Sequence, residues 1–204
     1  MARPSNPGIR ARLCDQAVDY VLSHGVGGLT LRPLARVLKT NARMLIYHFG
    51  SREGLMREIL SRIREREHAR IEGWFRSGEK PRTMPQFLRW FWKRSTAPQL
   101  RPAIRLLFEL YALALRNPRA YPGALEDPLA YWQKLREKTS IPARPDAVEA
   151  TLLLAATRGL LLDLCATGDR ARAGRAMEAL AQFVEWRATR PKNDGARAEE
   201  LNDG

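Results

Sequence analysis

Cysteine is nearly missing from this chain: there are two in 204 residues, Cys14 and Cys165. Both sit inside apolar helical patterns without a partner motif, so a disulfide framework is excluded and buried reduced thiols are expected. Histidine is almost as sparse. Of the three copies, His24 ends a helical pattern beside Gly25 and His68 lies on a charged face. Neither shows metal-ligand spacing with the cysteines, so no metal and no other cofactor is expected. The first ten residues, MARPSNPGIR, lack the apolar core of a signal peptide, which points to the cytoplasm. The most apolar run, ATLLLAATRGLLLDLCA (150–166), is broken by Arg158 and Asp163 and is too short to span a bilayer. Catalytic signatures are missing too: no Gly-rich phosphate loop, HExxH, GxSxG or paired-carboxylate arrangement occurs, so no enzyme is expected.

Acidic charge is the next scarcity. Thirty-five Lys and Arg face 22 Asp and Glu, a formal charge of +13, so a polyanion is a plausible partner. The excess is concentrated at the front. Residues 1–52 hold eight basic and two acidic residues, whereas the remaining three quarters hold 27 and 20.

What is present reads as helix throughout, about nine in all. Ile9, Leu13, Ala17, Tyr20 and Val21 keep helical spacing up to a stop at Gly25. Thr30 has the chemistry to cap LRPLARVL, whose Leu31, Leu34, Ala35 and Leu38 share a face. After Lys39 and Thr40, Asn41 can cap a short helix over 42–49 that ends at Gly50. A long helix opens at Ser51, with Leu55, Ile59, Ile63, Ile71 and Phe75 inward and Glu58–Arg62 as an i,i+4 pair. Further helices are expected from Thr83 to Ser95, over 102–116, 123–138 and 146–166, and from Asp169 to about 187. From Thr189 the chain is polar and unpatterned, the signature of a disordered tail.

The second and third helices, joined by a tight turn, have the shape of a helix-turn-helix. Leu34, Leu38, Leu45 and Phe49 can bury the joint, leaving Arg43, Tyr47 and His48 to the outside. Here TLRPLARVLKTNARMLIYHFGSREGL resembles the DNA-binding signature of the TetR family of transcriptional regulators, over roughly residues 9–60. The carriers are the capped second helix, its Leu-Ala pair, the Leu-x-Tyr-His-Phe ending and the Ser-Arg-Glu start of the next helix. Two positions depart from the family pattern. Lys39 stands where Gly is usual, and a left-handed Lys costs about 1 kcal/mol. Ile46 stands where many members have Tyr.

The resemblance implies an all-α protein with a DNA-binding head over 1–52, a ligand-binding and dimerisation body over 53–188, and a tail over 189–204. It places Thr40, Tyr47, His48 and Arg52 against phosphates and Ala42, Arg43, Met44 and Ile46 against base edges, with Thr30 also among the DNA-binding residues. The chemistry agrees, since Arg43 can grip guanine bidentately while Ala42, Met44 and Ile46 suit thymine methyls.

The body's last two helices are apolar beyond a monomer's need. Ala155, Ala156 and Gly159 permit close approach, and Leu152, Leu160, Leu161 and Phe183 add bulk, so a homodimer seam is expected there. The middle helices are rich in aromatics, which describes either plain core or a small-molecule pocket. The expected pocket residues are Trp90, Phe91, Phe108, Tyr111 and Arg158, with a flat or greasy effector. Arg158 and Glu109, charges inside apolar helices, are each a pocket anchor, a paired interior ion or an exposed residue. The resulting expectation is a ligand-responsive repressor that binds a near-palindromic operator as a dimer. The alternative is a basic helical protein that binds nucleic acid or anionic membrane without sequence preference.

Overall fold

In the computed structural model, which describes residues 7–76, 80–121, 124, 141 and 145–190, every regular element is helical. The part expected to form the head holds α1 (Pro7–His24), α2 (Leu31–Val37) and α3 (Ala42–Phe49). The long α4 (Arg52–Arg76) leads into a body of α5 (Met84–Ser95), α6 (Arg101–Arg116), α7 (Ala147–Thr167) and α8 (Arg170–Ala188). Short 3-10 turns at Pro98–Leu100 and Pro118–Ala120 flank α6. The helix expected over 123–138, with Tyr131 and Trp132, lies outside the described residues, as does the tail beyond Arg190.

Local chemistry sets most of these boundaries. The side chains of Thr83, Asp146 and Asp169 accept from the backbone N–H groups of Gln86, Glu149 and Arg172 at 3.3, 2.8 and 2.9 Å, capping α5, α7 and α8. Gly25 and Gly168 end α1 and α7 with φ of 77° and 72°. Thr30 is a correction: it occupies the N-cap position of α2, but its side chain makes no capping hydrogen bond.

Three clusters make the core. The largest joins α1–α4 (Val18, Val21, Leu34, Leu45, Leu55 and Ile59 among others) to Leu106, Leu110 and Ala114 of α6. Head and body therefore share buried surface through α6. The second packs Ile71 and Phe75 of α4 on Phe87 of α5, with Trp90 and Phe91 at its edge. The third joins Leu88, Leu153 and Met177, with Trp92, Leu160, Leu180 and Val184 around them. Three consecutive aromatics sweep too wide an arc for one core, and Trp92 indeed parts from Trp90 and Phe91.

Three expectations are corrected by this packing. Leu161 is buried within the chain and Leu160 leans on the third cluster, so neither stands on the outer face. Cys14 is buried as expected, whereas Cys165 is only half-buried. Glu58 pairs with Arg10 rather than with Arg62, which turns to Asp15 at 3.4 Å and Glu65 at 3.1 Å. Arg66 holds Asp15 and Asp19 at 2.9 and 2.6 Å. These groups are drawn across the α1–α4 seam because the two helices pack side by side. Each pair is partly exposed and so contributes little alone.

Candidate nucleic-acid interface

The turn between α2 and α3 has a defined geometry. Lys39 N donates to Arg36 O at 3.1 Å and Thr40 N to Ala35 O at 2.9 Å, the paired bonds of a Schellman motif. The residue that must be left-handed is Lys39, at φ 51°, where glycine would carry no Cβ penalty. Asn41 then caps α3, its Oδ1 accepting from Met44 N at 2.9 Å. Gly50, at φ 79°, stops the helix after its eight residues. Ser51 Oγ accepts from Gly54 N at 2.9 Å and opens α4. A Cβ on Gly54 would stand 2.2 Å from the Phe49 carbonyl oxygen, so the close passage of α4 by the end of α3 requires glycine there.

The period of α3 divides its side chains into two faces. Leu45, His48 and Phe49 point inward and are buried. Arg43, Met44, Ile46 and Tyr47 are exposed, and Ala42 is half-buried at the start. His48 is thus a correction: expected on the outside, it is 6% exposed, because three residues after Leu45 the helix returns to its inner face. Its Nδ1 has no hydrogen-bond partner. The Tyr47 ring meets it edge-on at 5.2 Å.

Thr30 is exposed and Thr40 half-exposed, at the start of α2 and just before α3. Arg52 is exposed on the first turn of α4, with Nη2 donating to Leu29 O at 3.2 Å. Its guanidinium is thereby anchored beside the helix-turn-helix. Outside the expected set, Arg32, Arg36 and Lys39 are exposed on α2 and the turn. The i,i+4 spacing of Arg32 and Arg36 was the available signal.

The expected pocket residues fall into two groups. Trp90 lies 4.8 Å from Phe75 and 6.0 Å from Trp74 and Phe87, ring to ring, and Phe91 lies 6.0 Å from Phe87. Arg94 covers the Trp90 ring at 4.3 Å, and the buried Trp90 Nε1 has no acceptor. Separately, Arg158 of α7 lies 5.1 Å over the Tyr111 ring of α6. Burial lowers the pKa of Arg158, against the pull of Tyr111 and Glu67, and burial raises that of Tyr111. Beside Arg158, the buried Thr157 hydroxyl has no partner. Phe108 is half-buried on α6.

Glu109 resolves as a bridge. Its Oε1 accepts from Val26 N at 3.0 Å and Gly27 N at 2.7 Å, tying α6 to the loop before α2. Gly25 makes this approach possible, since a Cβ there would lie 2.6 Å from Glu109 Oε2. The run expected to be too short for a bilayer is corrected in length: among the described residues one helix, Ala147–Thr167, is long and apolar enough to cross a membrane, and it packs on α6 and α8.

No family model matches the chain, and no curated protein does. Solved structures do. The multidrug binding protein EbrR in complex with imidazole is 26% identical, with a TM-score of 0.64, covering 90% of this chain and 94% of its own. A putative transcriptional regulator from Streptomyces coelicolor A3(2) is 21% identical, with a TM-score of 0.67 over 87% of this chain and 99% of its own. A putative TetR-family transcriptional regulator from Rhodococcus sp. is 20% identical, with a TM-score of 0.61 over 86% and 97%. The chain has the all-α fold of the TetR family of transcriptional regulators.

Proposed function

We propose that the chain is a ligand-responsive, DNA-binding regulator of transcription, not an enzyme, and that it acts as a homodimeric repressor. The observation that carries this reading is α3: a capped helix whose outer face offers Arg43, Met44, Ile46 and Tyr47 while its inner face is sealed into the head. In this reading the head spans 1–52 and the body 53–188. Thr30, Thr40, Tyr47 and Arg52 meet phosphates; Ala42, Arg43, Met44 and Ile46 meet base edges. His48, being buried, supports Tyr47 from behind rather than touching DNA. Two copies of α3 enter successive major grooves of a near-palindromic operator.

The body senses a small, mostly apolar molecule. EbrR has been solved with the planar aromatics ethidium and proflavin, and Trp90 and Phe91 here belong to an aromatic cluster of the body. A ligand that prefers one spacing of the two heads shifts the dimer toward it and releases the operator. Glu109 is well placed to carry that preference, since it binds the head loop from α6.

Selection of bound fragments from a random DNA pool, followed by salt titration of the selected and a scrambled duplex, tests the proposal. A regulator keeps a ratio of at least about 10³ between them at physiological salt. Equal affinities with equal salt slopes would sink it and favour a basic protein without sequence preference.

A further inference from the structure

A cavity of about 190 Å³ opens where the Ser95–Pro98 bend and the first turn of α6 meet the C-terminal end of α7. Its wall has two kinds of surface. Ile104, Leu161 and Leu164, with the Cys165 thiol, form an apolar side, and Arg101 and Arg170 form a cationic one. No acidic residue is among the described residues of the lining.

Among the described residues no carboxylate pairs with the cationic side. Arg170 Nη2 donates to the Thr96 carbonyl, which fixes the side chain across the bend, and its other guanidinium nitrogens have no partner among the described residues. The carboxylates of Asp163 and Asp169 are answered by Arg172, at 2.8 and 3.5 Å. Arg101 starts α6, a helix of 16 residues whose first N–H groups add positive potential. The opposing end of α7 is partly quenched, because Gly168 N returns to Leu164 O at 3.0 Å. The Cys165 thiol stays neutral: burial raises its pKa, outweighing the downward pull of Arg105 and Arg101. It adds apolar surface and no competing anion.

Size and chemistry together narrow the occupant. An apolar cavity of about 150 Å³ takes up benzene, so this one holds a single ring and a small polar group. An organic cation would face two arginines, and a bare phosphate would leave the apolar wall unused. We infer that the cavity binds a small aromatic carboxylate, with its ring on Ile104, Leu161 and Leu164 and its carboxylate between Arg101 and Arg170. Two guanidinium groups, that of Arg170 held by the Thr96 carbonyl, give charge-assisted bonds, which are stronger than neutral ones.

The assay needs no DNA, so its failure leaves the proposal for α3 standing. Sodium benzoate and its neutral counterpart benzyl alcohol are titrated into the full chain at constant ionic strength, by calorimetry and thermal melting. Benzoate is expected to bind at least about tenfold more tightly than the alcohol. Arg101→Ala should erase that preference while leaving benzyl alcohol where it was. Leu164→Trp, which fills the apolar side, should abolish both, with helicity by circular dichroism confirming a folded chain. Should Leu164→Trp not fold, Ile104→Trp is the second filling variant. Benzoate binding that is absent, no tighter than that of benzyl alcohol, or unchanged in Arg101→Ala and the filled variant would overturn the assignment.

Discussion

Glu109 Oε1 stands 2.7 Å from the backbone nitrogen of Gly27, across 82 residues of sequence, and joins the body's α6 to the loop that precedes the helix-turn-helix. The same oxygen takes the Val26 N–H at 3.0 Å. A carboxylate holding two backbone donors is a stiff connection, since hydrogen bonds to charged groups are worth about 1.5–3 kcal/mol each. Glu109→Ala should therefore lower stability by about 1–2 kcal/mol, discounted for partial exposure. Urea denaturation checks the loss, and faster amide exchange at Val26 and Gly27 locates it. An unchanged exchange rate at both amides would show that the bridge is not formed in solution.

Gly25 tests the same bridge from the other side. Its φ of 77° costs a residue with a Cβ about 1 kcal/mol, and the added Cβ would meet Glu109 Oε2 at 2.6 Å. The carboxylate can swing away only by giving up its two donors. Gly25→Ala should thus cost more in the wild-type background than in Glu109→Ala, where only the backbone strain remains. A double-mutant cycle with a coupling of about 1 kcal/mol is expected; strict additivity would contradict it.

Lys39 is a smaller, oppositely signed case. It holds the left-handed position of the Schellman turn at φ 51°. Lys39→Gly should raise stability by about 0.5–1 kcal/mol, the relief of strain exceeding glycine's extra unfolded-state freedom. A higher urea midpoint with an unchanged slope is the readout, and a lower midpoint would mean that the Lys39 stem contributes packing that outweighs its strain.

Why the head was legible and Glu109 was not comes down to range. Asn41, Leu45, Phe49 and Gly50 act within one or two turns, so periodicity and capping chemistry locate α3 from sequence. The same period, taken strictly, also places His48 beside Leu45 and Phe49 on the inner face; its polar character argued the other way, and the geometry won. Glu109 and Gly27 are brought together by the whole fold, and no local pattern announces a carboxylate–backbone contact at that separation. In the body, aromatic content was plain, but the sorting of Trp90 and Phe91 from Tyr111 and Arg158 depends on how α4, α5, α6 and α7 pack.

For DNA, Arg43 and Arg52 should fail differently. Arg43 is exposed on α3 and can reach a base edge, so Arg43→Ala should lose about 1–3 kcal/mol of discrimination at one guanine per half-site. Arg52→Ala should weaken selected and scrambled duplexes alike and flatten the salt slope by about one unit. Its bond to Leu29 O adds a modest loss of stability, visible by urea denaturation without DNA. If Arg43→Ala weakened both duplexes equally, its assignment to a base would be wrong.

The proposed dimer would place its seam on α7. Val148, Leu152, Ala155, Gly159 and Leu162 follow at spacings of four and three, all on the exposed side. That is the repeat of a helix packed along its length against a partner. Val148 is 78% exposed and Leu152 55%, and nothing stands within 4 Å of where a Cβ on Gly159 would be. On α8, Phe183 and Trp186 stack at 5.7 Å and are also exposed. A second copy covering both faces would bury this surface, with Gly159 allowing the helices to approach closely. Leu152→Glu or Leu162→Glu would then force a charge into the seam at a cost on the order of 3–5 kcal/mol. Leu161→Glu is the contrasting variant: Leu161 is buried within its own chain, so the charge should unfold the body rather than part the dimer. Sedimentation at micromolar concentration should show a dimer for the wild type and a helical monomer for Leu152→Glu. A wild-type chain that sediments as a monomer, or a Leu152→Glu and Leu162→Glu pair that both remain dimeric, would place the seam elsewhere or remove it.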